Sequence, residues 1–422
     1  MKTLQKSVES IVLSEAAENR IFHRLKNKLE QKQSLRSNFP KLSLLIALST
    51  IFVVTIFCCS IVIPMALNAS VPEQQLPKQQ LVYKYTFNRK GLIVTGLGKE
   101  NEVTDIVIPS EYNGIPVTAI DNSAFIGTNI TSVKISEGIT EIGDGAFLCC
   151  SKLKSVEFFY GMISIGREAF SHCYSLEHIV IPDSVTSIKS SAFYGCHALS
   201  SVKIGESVSE IGAFAFGKCS SLSEIELPES VATISFSAFA DCTSLKSIIL
   251  PESVTEYTGE EFQNCTSLES VTLGSSVEEI GIRMFAGCSS LKSIDLPDSM
   301  TNIGNSAFYK CSNLKSIVIP SGVTCIERST FFRCLSLESV QLPESVGEIS
   351  SFAFEGCISL KEILYGGTTE QWLAIKKTED WDDVTGLYSV ICSDGTVTKD
   401  GTITKNKTIT PDTTLYIQKK MF

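Results

Sequence analysis

Residues 307–326 read AFYKCSNLKSIVIPSGVTCI, and the same pattern recurs along most of the chain. In this stretch Phe308 is followed by Cys311 three residues later and by Leu314 six residues later. The spacing repeats every 23 residues, with phenylalanines at Phe147, Phe170, Phe193, Phe216, Phe239, Phe262, Phe285, Phe308, Phe331 and Phe354. A spacing held over ten units predicts one structural unit stacked on copies of itself, each covering its neighbour's apolar edge. The sequence therefore predicts a solenoid.

The positions within one unit predict its local structure. Leu314, Ile317 and Ile319 follow an L-x-x-I-x-I pattern, which sends alternate side chains inward from a short strand. Pro320 ends the strand because proline has no amide donor for the ladder. Each unit is therefore expected to hold one short parallel strand and a return segment made of turns or a short helix.

The two ends of the repeat region depart from the pattern, as terminal repeats do. Phe125 precedes the next periodic phenylalanine by 22 residues and lacks the cysteine. We expect about eleven 23-residue coils over residues 106–365, with an N-terminal cap at 81–105. Residues 366–392 hold both tryptophans and predict a C-terminal cap with a short helix and then a strand. Residues 393–422 contain two Asp-Gly turns and predict a β-hairpin or a loose tail.

The N-terminal part of the chain predicts a membrane anchor. Residues 42–63 carry no charged side chain. As a helix, this segment is long enough to cross a hydrocarbon core of about 30 Å. We assign 42–67 as a transmembrane signal anchor and 68–80 as a Pro- and Gln-rich spacer. Residues 1–41 hold nine Lys/Arg and four Asp/Glu, so the positive-inside rule places them in the cytoplasm. A cleaved signal peptide is disfavoured, because its apolar core would far exceed the usual length of about 7–15 residues.

The charge balance argues against nucleic-acid binding. The formal net charge is −10, and residues 68–422 carry 27 Lys/Arg against 42 Asp/Glu. Sequence-independent binding to nucleic acid needs a basic face. Hydrophobic residues make up 43% of the chain and charged residues only 19%, which argues against disorder.

Ten of the fifteen cysteines occupy one equivalent position per unit. Their side chains then stack in a parallel column, whereas a disulfide needs two side chains that face each other. A column of free thiols in the interior is the favoured interpretation. Metal binding is the alternative, because His172, Cys173, Cys196 and His197 lie in adjacent units.

No catalytic motif stands out. The chain has four histidines and no H-E-x-x-H or G-x-S-x-G string. The acidic pairs Glu260–Glu261 and Asp382–Asp383 are interpreted as solvated surface or cap residues. We expect no enzyme activity, no cofactor and no metal.

The outward side of the predicted strands is the candidate ligand-binding face. The residue four positions after the periodic leucine varies from unit to unit, whereas the one two positions after it is mostly serine. The variable set is Glu157, Val180, Lys203, Glu226, Ile249, Thr272, Asp295, Val318, Gln341 and Leu364. Simple drift on a solvated sheet would also give such variation. The apolar members Val180, Ile249 and Val318 favour binding, because exposed β-branched residues often anchor a partner.

The repeat resembles a known family. The L-x-x-I-x-L-P core, followed by V-x-x-I-g-x-x-A-F-x-x-C, is similar to the BspA-type (Treponema pallidum-type) leucine-rich repeat over about residues 81–392. The resemblance implies a right-handed leucine-rich-repeat solenoid, and a bacterial or less often protozoan surface protein that engages other proteins or host matrix. In that family the variable strand face would carry binding, and no catalytic residue transfers.

Two functions are compatible with these features. The first is a membrane-anchored, extracytoplasmic binding protein whose strand face takes a protein or glycan ligand. The second is a transmembrane sensor, in which the amphipathic segment 4–33 binds a cytoplasmic regulator. The oligomeric state is not predicted by the sequence.

Overall fold

The computed structural model describes residues 81–98, 103–254 and 256–405. The predictions for the basic segment, the anchor at 42–67 and the spacer lie outside these residues, as does the tail beyond residue 405. Among the described residues, no helix is long and apolar enough to cross a membrane.

Each turn of the solenoid places one short strand in a first series, and we call the outward side of this series the strand face. Within each ladder consecutive strands pair in parallel, so that Val180 lies beside Lys203, and among the described residues the series divides into ladders after Ser155–Phe158, Glu224–Glu226 and Ser270–Thr272. Residues 291–297 occupy the equivalent place in their turn without regular strand structure. The strands are Asp105–Ile108, Ser132–Ile135, Ser155–Phe158, His178–Val180, Ser201–Lys203, Glu224–Glu226, Ser247–Ile249, Ser270–Thr272, Ser316–Val318, Ser339–Leu342, Glu362–Tyr365 and Ser389–Cys392.

A second series of two-residue strands follows the first in each turn. Its isoleucines point into the core and its other residues lie nearer the surface. The series consists of Glu141–Ile142, Ser164–Ile165, Ser187–Ile188, Glu210–Ile211, Thr233–Ile234, Glu256–Tyr257, Glu279–Ile280, Asn302–Ile303, Cys325–Ile326, Glu348–Ile349 and Lys376–Lys377.

The segment that carries each periodic phenylalanine is a tight turn rather than a helix. One residue two positions before the phenylalanine and one two positions after it have positive φ. Around Phe239 these are Ser237, with φ of 54°, and Asp241, with φ of 60°. Of the two predicted forms of the return segments, turns are confirmed and short helices are not formed within the described repeats, because two left-handed residues per turn interrupt any helix.

The core contains a continuous column of phenylalanine rings. Rings in successive turns from Phe125 to Phe354 stack with centroids 5.0 to 5.8 Å apart. Each column cysteine is buried beside it, and its Sγ donates to the phenylalanine carbonyl of the preceding turn, as Cys219 does to Phe193 at 3.2 Å. The prediction that these cysteines belong to the solenoid interior is confirmed.

At the N-terminal end, Leu81–Tyr85 pairs antiparallel with Leu92–Leu97. Leu92–Leu97 then joins Ile115–Ile120 in parallel and so leads into the second series. Glu111–Tyr112 and Ile115–Ile120 form a hairpin whose turn contains Asn113 and Gly114. This end therefore continues the repeat ladder as well as covering it.

At the C-terminal end, the helix Thr369–Ala374 begins with a capping box in which Thr368 and Gln371 exchange hydrogen bonds. Ser389–Cys392 pairs in parallel with Glu362–Tyr365 and adds a further turn. Gly395–Thr398 and Ile403–Lys405 complete an antiparallel sheet. Because the end segments contribute strands of their own, the solenoid has about 13 turns rather than the eleven expected.

Candidate functional site: the strand face

The strand face is built by simple alternation along three-residue strands. In His178–Val180 the central Ile179 is buried, whereas His178 and Val180 are exposed. The strands Glu224–Glu226 and Ser247–Ile249 show the same alternation. Each turn therefore anchors its strand with one core residue and presents two side chains to solvent.

The structure brings the predicted binding residues into one column along this face. In-register pairing sets Val180, Lys203 and Glu226 side by side. Eight of the ten predicted residues are exposed, whereas Gln341 and Leu364 are half-buried. Residues that are distant in sequence thus share a single surface, as a recognition face requires.

Exposed apolar side chains recur in this column at every third turn. Val180, Ile249 and Val318 have exposed fractions of 58%, 68% and 55%, and Val107, in the first strand of the series, has 55%. Neighbouring strands lie about 4.8 Å apart, so three turns separate these side chains by about 14 Å. Sequence reasoning missed Val107 because it counted from the periodic leucine, which the first strand lacks. Counting from the start of each strand would have found Val107, because it is the third residue of its strand, as Val180 is of His178–Val180.

Charged and polar residues fill the two turns between successive apolar positions. Lys134 and Glu157 form an ion pair, with Nζ 2.9 Å from Oε1. Lys203 and Glu226 occupy the corresponding turns after Val180. Exposed pairs of this kind add little to stability. The order apolar, then basic, then acidic holds after Val107 and after Val180, whereas Thr272 and Asp295 follow Ile249.

A second group of side chains, four of them exposed and two half-buried, lies on the turns rather than on the strands. Tyr174 stacks on His197 with centroids 5.3 Å apart, and His172 packs against Tyr194 at 5.5 Å. The cluster extends along successive turns to Phe214 and Phe236. We call these six residues the turn-edge aromatic cluster. Sequence reasoning missed it, although aromatic residues that recur close to the periodic phenylalanines could have signalled it.

The metal-binding alternative receives no support from the geometry. Ser171 Oγ lies 2.8 Å from His172 Nδ1, and His197 Nδ1 lies 3.0 Å from the Lys218 carbonyl. Cys196 donates to a backbone carbonyl, and burial raises the pKa of its thiol to about 12. In the part of the chain that the structure describes, no group of three or more His, Cys, Asp or Glu residues could hold a metal ion.

One acidic pair contradicts the sequence interpretation. Glu260 is near the surface, where its Oε1 lies 3.3 Å from Arg283 Nη1. Glu261, expected to be solvated, is fully buried. The residue before each periodic phenylalanine points into the core, and in this turn a carboxyl occupies that position. Asp382, in the other pair, accepts a hydrogen bond from the Tyr388 hydroxyl within the C-terminal cap.

Comparison with known proteins identifies relatives of the whole repeat array. A family model described as "BspA type Leucine rich repeat region (6 copies)" matches residues 99–196, 163–291 and 259–372. A solved leucine-rich repeat protein from Bacteroides ovatus is 27% identical, with 75% of this chain and 100% of that chain covered and a TM-score of 0.55.

Two further solved structures are similar in sequence. A leucine rich cell surface protein from Faecalibacterium prausnitzii is 29% identical, with 72% of this chain and 98% of that chain covered and a TM-score of 0.47. A leucine-rich repeat protein from T. pallidum is 27% identical, with 57% and 91% covered and a TM-score of 0.32. Comparison with curated proteins gives no match.

Proposed function

This chain belongs to the BspA-type leucine-rich repeat family, and on that premise we propose that it is a surface protein that binds another protein through its strand face. Repeat proteins of this kind are generally non-catalytic binding scaffolds, and no enzyme family is indicated. The proposal extends that general role to a particular surface and to a class of ligand.

The recurrence of exposed apolar side chains at every third turn is the observation that carries the proposal. Val180, Ile249 and Val318 are each at least half exposed and are fixed to a regular ladder. Burial of such side chains against a partner removes apolar surface from water and so favours binding. Their spacing of about 14 Å suits an elongated protein surface with apolar groups at matching intervals. The charged residues between them favour a polypeptide partner over a neutral glycan.

Membrane anchoring is part of the same proposal. The uncharged segment 42–67 and the basic residues before it support a single-pass anchor with the N-terminus inside and the repeats outside. The amphipathic pattern of residues 4–33 favours a second function, that of a transmembrane sensor with a cytoplasmic regulator. The two functions share the strand face and differ only in the consequence of ligand binding, which is adhesion in the first and signalling in the second.

A binding screen with matched variants tests the strand face. The full chain is immobilised and probed with purified matrix proteins (collagen, fibronectin and laminin) and with a glycan array. A triple variant carries Val180→Glu, Ile249→Glu and Val318→Glu. We expect a protein ligand to bind the variant at least about tenfold more weakly, because three apolar anchors become charged.

The control makes the same three changes on exposed apolar residues of the turns, at Ile282, Leu335 and Ile358. This variant should bind as the parent does. If the control variant lost binding and the strand-face variant kept it, the proposal would be contradicted. The binding site would then lie on the turns. A ligand found only on the glycan array would contradict the assignment of a protein partner.

A further inference from the structure

One turn of the solenoid carries a buried carboxyl where its neighbours carry apolar side chains. The residue before each periodic phenylalanine is Ala238 in the preceding turn and Met284 in the following turn, and both are fully buried. Glu261 occupies the equivalent position and is likewise fully buried. Burial of a carboxyl is costly unless it gains hydrogen bonds, so its partners decide how the turn behaves.

The Glu261 carboxyl takes over a hydrogen bond that backbone carbonyls make elsewhere. In other turns the amide after the second-series strand donates to the preceding turn, as Ser235 does to the Ile211 carbonyl and Gly304 to the Ile280 carbonyl, both at 2.9 Å. The equivalent Thr258 amide donates to Glu261 Oε1 at 2.6 Å. In the turn around Glu261, this amide therefore makes a hydrogen bond within its own turn instead of one to the preceding turn.

The other carboxyl oxygen and a neighbouring hydroxyl have no partner. Glu261 Oε2 and the Tyr257 hydroxyl are both buried without a hydrogen bond among the described residues. Tyr257 itself replaces the core isoleucine found at this place in the adjacent turns, Ile234 and Ile280. Two unsatisfied polar atoms in one turn mark it as a weak point of the core.

Strand pairing is interrupted at the same place. The second-series sheet that starts near the N-terminus ends with Glu256–Tyr257, and the next sheet begins with Glu279–Ile280. The ring separation between Phe262 and Phe285 is 5.8 Å, at the upper end of the range for the column. The second series is interrupted again between Asn302–Ile303 and Cys325–Ile326, so the turn around Glu261 is distinguished by its buried carboxyl and by the Thr258 amide that donates within the turn.

The charged groups around Glu261 do not neutralise it. Glu260, in the same turn, adds a second negative charge, and Arg283 of the following turn pairs with Glu260. The preceding turn presents the uncharged Ser237, whose hydroxyl donates to Glu260 Oε2 at 3.4 Å. The following turn presents Gly281, which has no side chain to offer.

We propose that the turn around Glu261 is a proton-operated joint of the solenoid, closed when the carboxyl is protonated and loosened when it ionises. Ionisation places a negative charge without a cationic partner in a dry interior, beside Glu260 in sequence and with one carboxyl oxygen left without a hydrogen bond. Opening lets water reach the charge.

The direction of the pH effect follows from the direction in which the pKa of the Glu261 carboxyl is shifted. Burial raises the pKa of Glu261 to about 7, although the amides of Gly259 and Thr258 oppose the shift. In an open turn the carboxyl has its ordinary value near 4.5. The closed turn therefore binds the proton more tightly, and closure weakens as pH rises between these two values. From pH 5.5 to 8.5 the opening equilibrium is expected to rise about 30-fold.

Hydrogen exchange on the full chain at pH 5.5 and 8.5 tests the joint, with rates corrected for the intrinsic pH dependence of exchange. Peptides that cover residues 256–285 should lose protection about 30-fold in the parent. In Glu261→Gln, which keeps the acceptor oxygen without the charge, the loss should disappear. Glu261→Ala, which restores the residue of the preceding turn, should also remove it.

Glu260→Gln is the matched control and should keep the pH effect, since it leaves the buried carboxyl in place. Peptides from residues 302–324, which contain no histidine, provide an internal reference that should not change. The proposal is overturned if the parent shows no pH effect in 256–285, or if Glu261→Gln and Glu261→Ala retain it.

Discussion

At the scale of single residues, the phenylalanine column is the feature that holds the turns together. Each ring is fully buried, and each ring between the two ends of the column stacks on the rings of both neighbouring turns, as Phe239 does on Phe216 and Phe262 at 5.5 Å. The column cysteines fill the space beside the rings. Their neutral thiols satisfy carbonyl oxygens of the preceding turn, so that the interior contains few unpaired groups.

Truncation of one ring should therefore destabilise the array near that ring. Phe239→Ala is expected to cost roughly 3–5 kcal/mol, as is typical of a buried aromatic side chain. Because each turn contacts only its neighbours, the damage should stay local. Hydrogen exchange should show lost protection in the turns next to residue 239 and little change beyond residue 350. A uniform loss along the whole array would contradict this picture.

The sequence predicted the burial of the periodic residues well, but it did not predict the burial of residues that depart from the repeat, such as Glu261. The period of 23 placed the phenylalanines from Phe147 to Phe354 and the ten column cysteines in the core, because repetition itself shows which positions are equivalent. The same period also places Glu261 with the buried alanines. Glu261 was predicted to be solvated because glutamate is usually exposed, and this residue preference was given more weight than the position in the repeat. In a repeat protein the position is the stronger signal, since the stacked backbone decides what is buried.

At the scale of elements, the return segments are the part that sequence patterns described least well. Two residues per turn are left-handed, and at many of these positions the residue is serine, lysine, arginine or phenylalanine instead of glycine. Such residues give no turn signal of their own. The backbone conformation is imposed by hydrogen bonds to the next turn, such as that from the Ser306 amide to the Arg328 carbonyl at 2.9 Å.

This strain predicts a stabilising substitution. Ser306 has φ of 59°, and the equivalent residue in an earlier turn is Gly145, with φ of 61°. Ser306→Gly should stabilise the turn by a few tenths to about 1 kcal/mol, because glycine adopts this conformation without steric cost. The matched change Ser316→Gly, in a strand, should destabilise. Local opening free energies from hydrogen exchange measure both, and equal effects of the two changes would count against the explanation.

At the scale of the whole molecule, about 13 turns bring distant residues onto one continuous face. Val107 and Val318 are separated by most of the repeat region, yet both lie in the same column. The sequence predicted this column from Glu157 onwards but not the recurrence of its apolar members, which becomes clear only when the first strand is included. The identity of a partner depends on surface chemistry that repetition does not constrain.

The most direct measurement is the hydrogen-exchange footprint of a bound protein ligand on the full chain. We predict slower exchange in the strands His178–Val180, Ser247–Ile249 and Ser316–Val318, with no change in the turn-edge aromatic cluster. This result would place the ligand across the three apolar positions. Protection confined to that cluster, with the strands unchanged, would contradict the strand face as the binding surface.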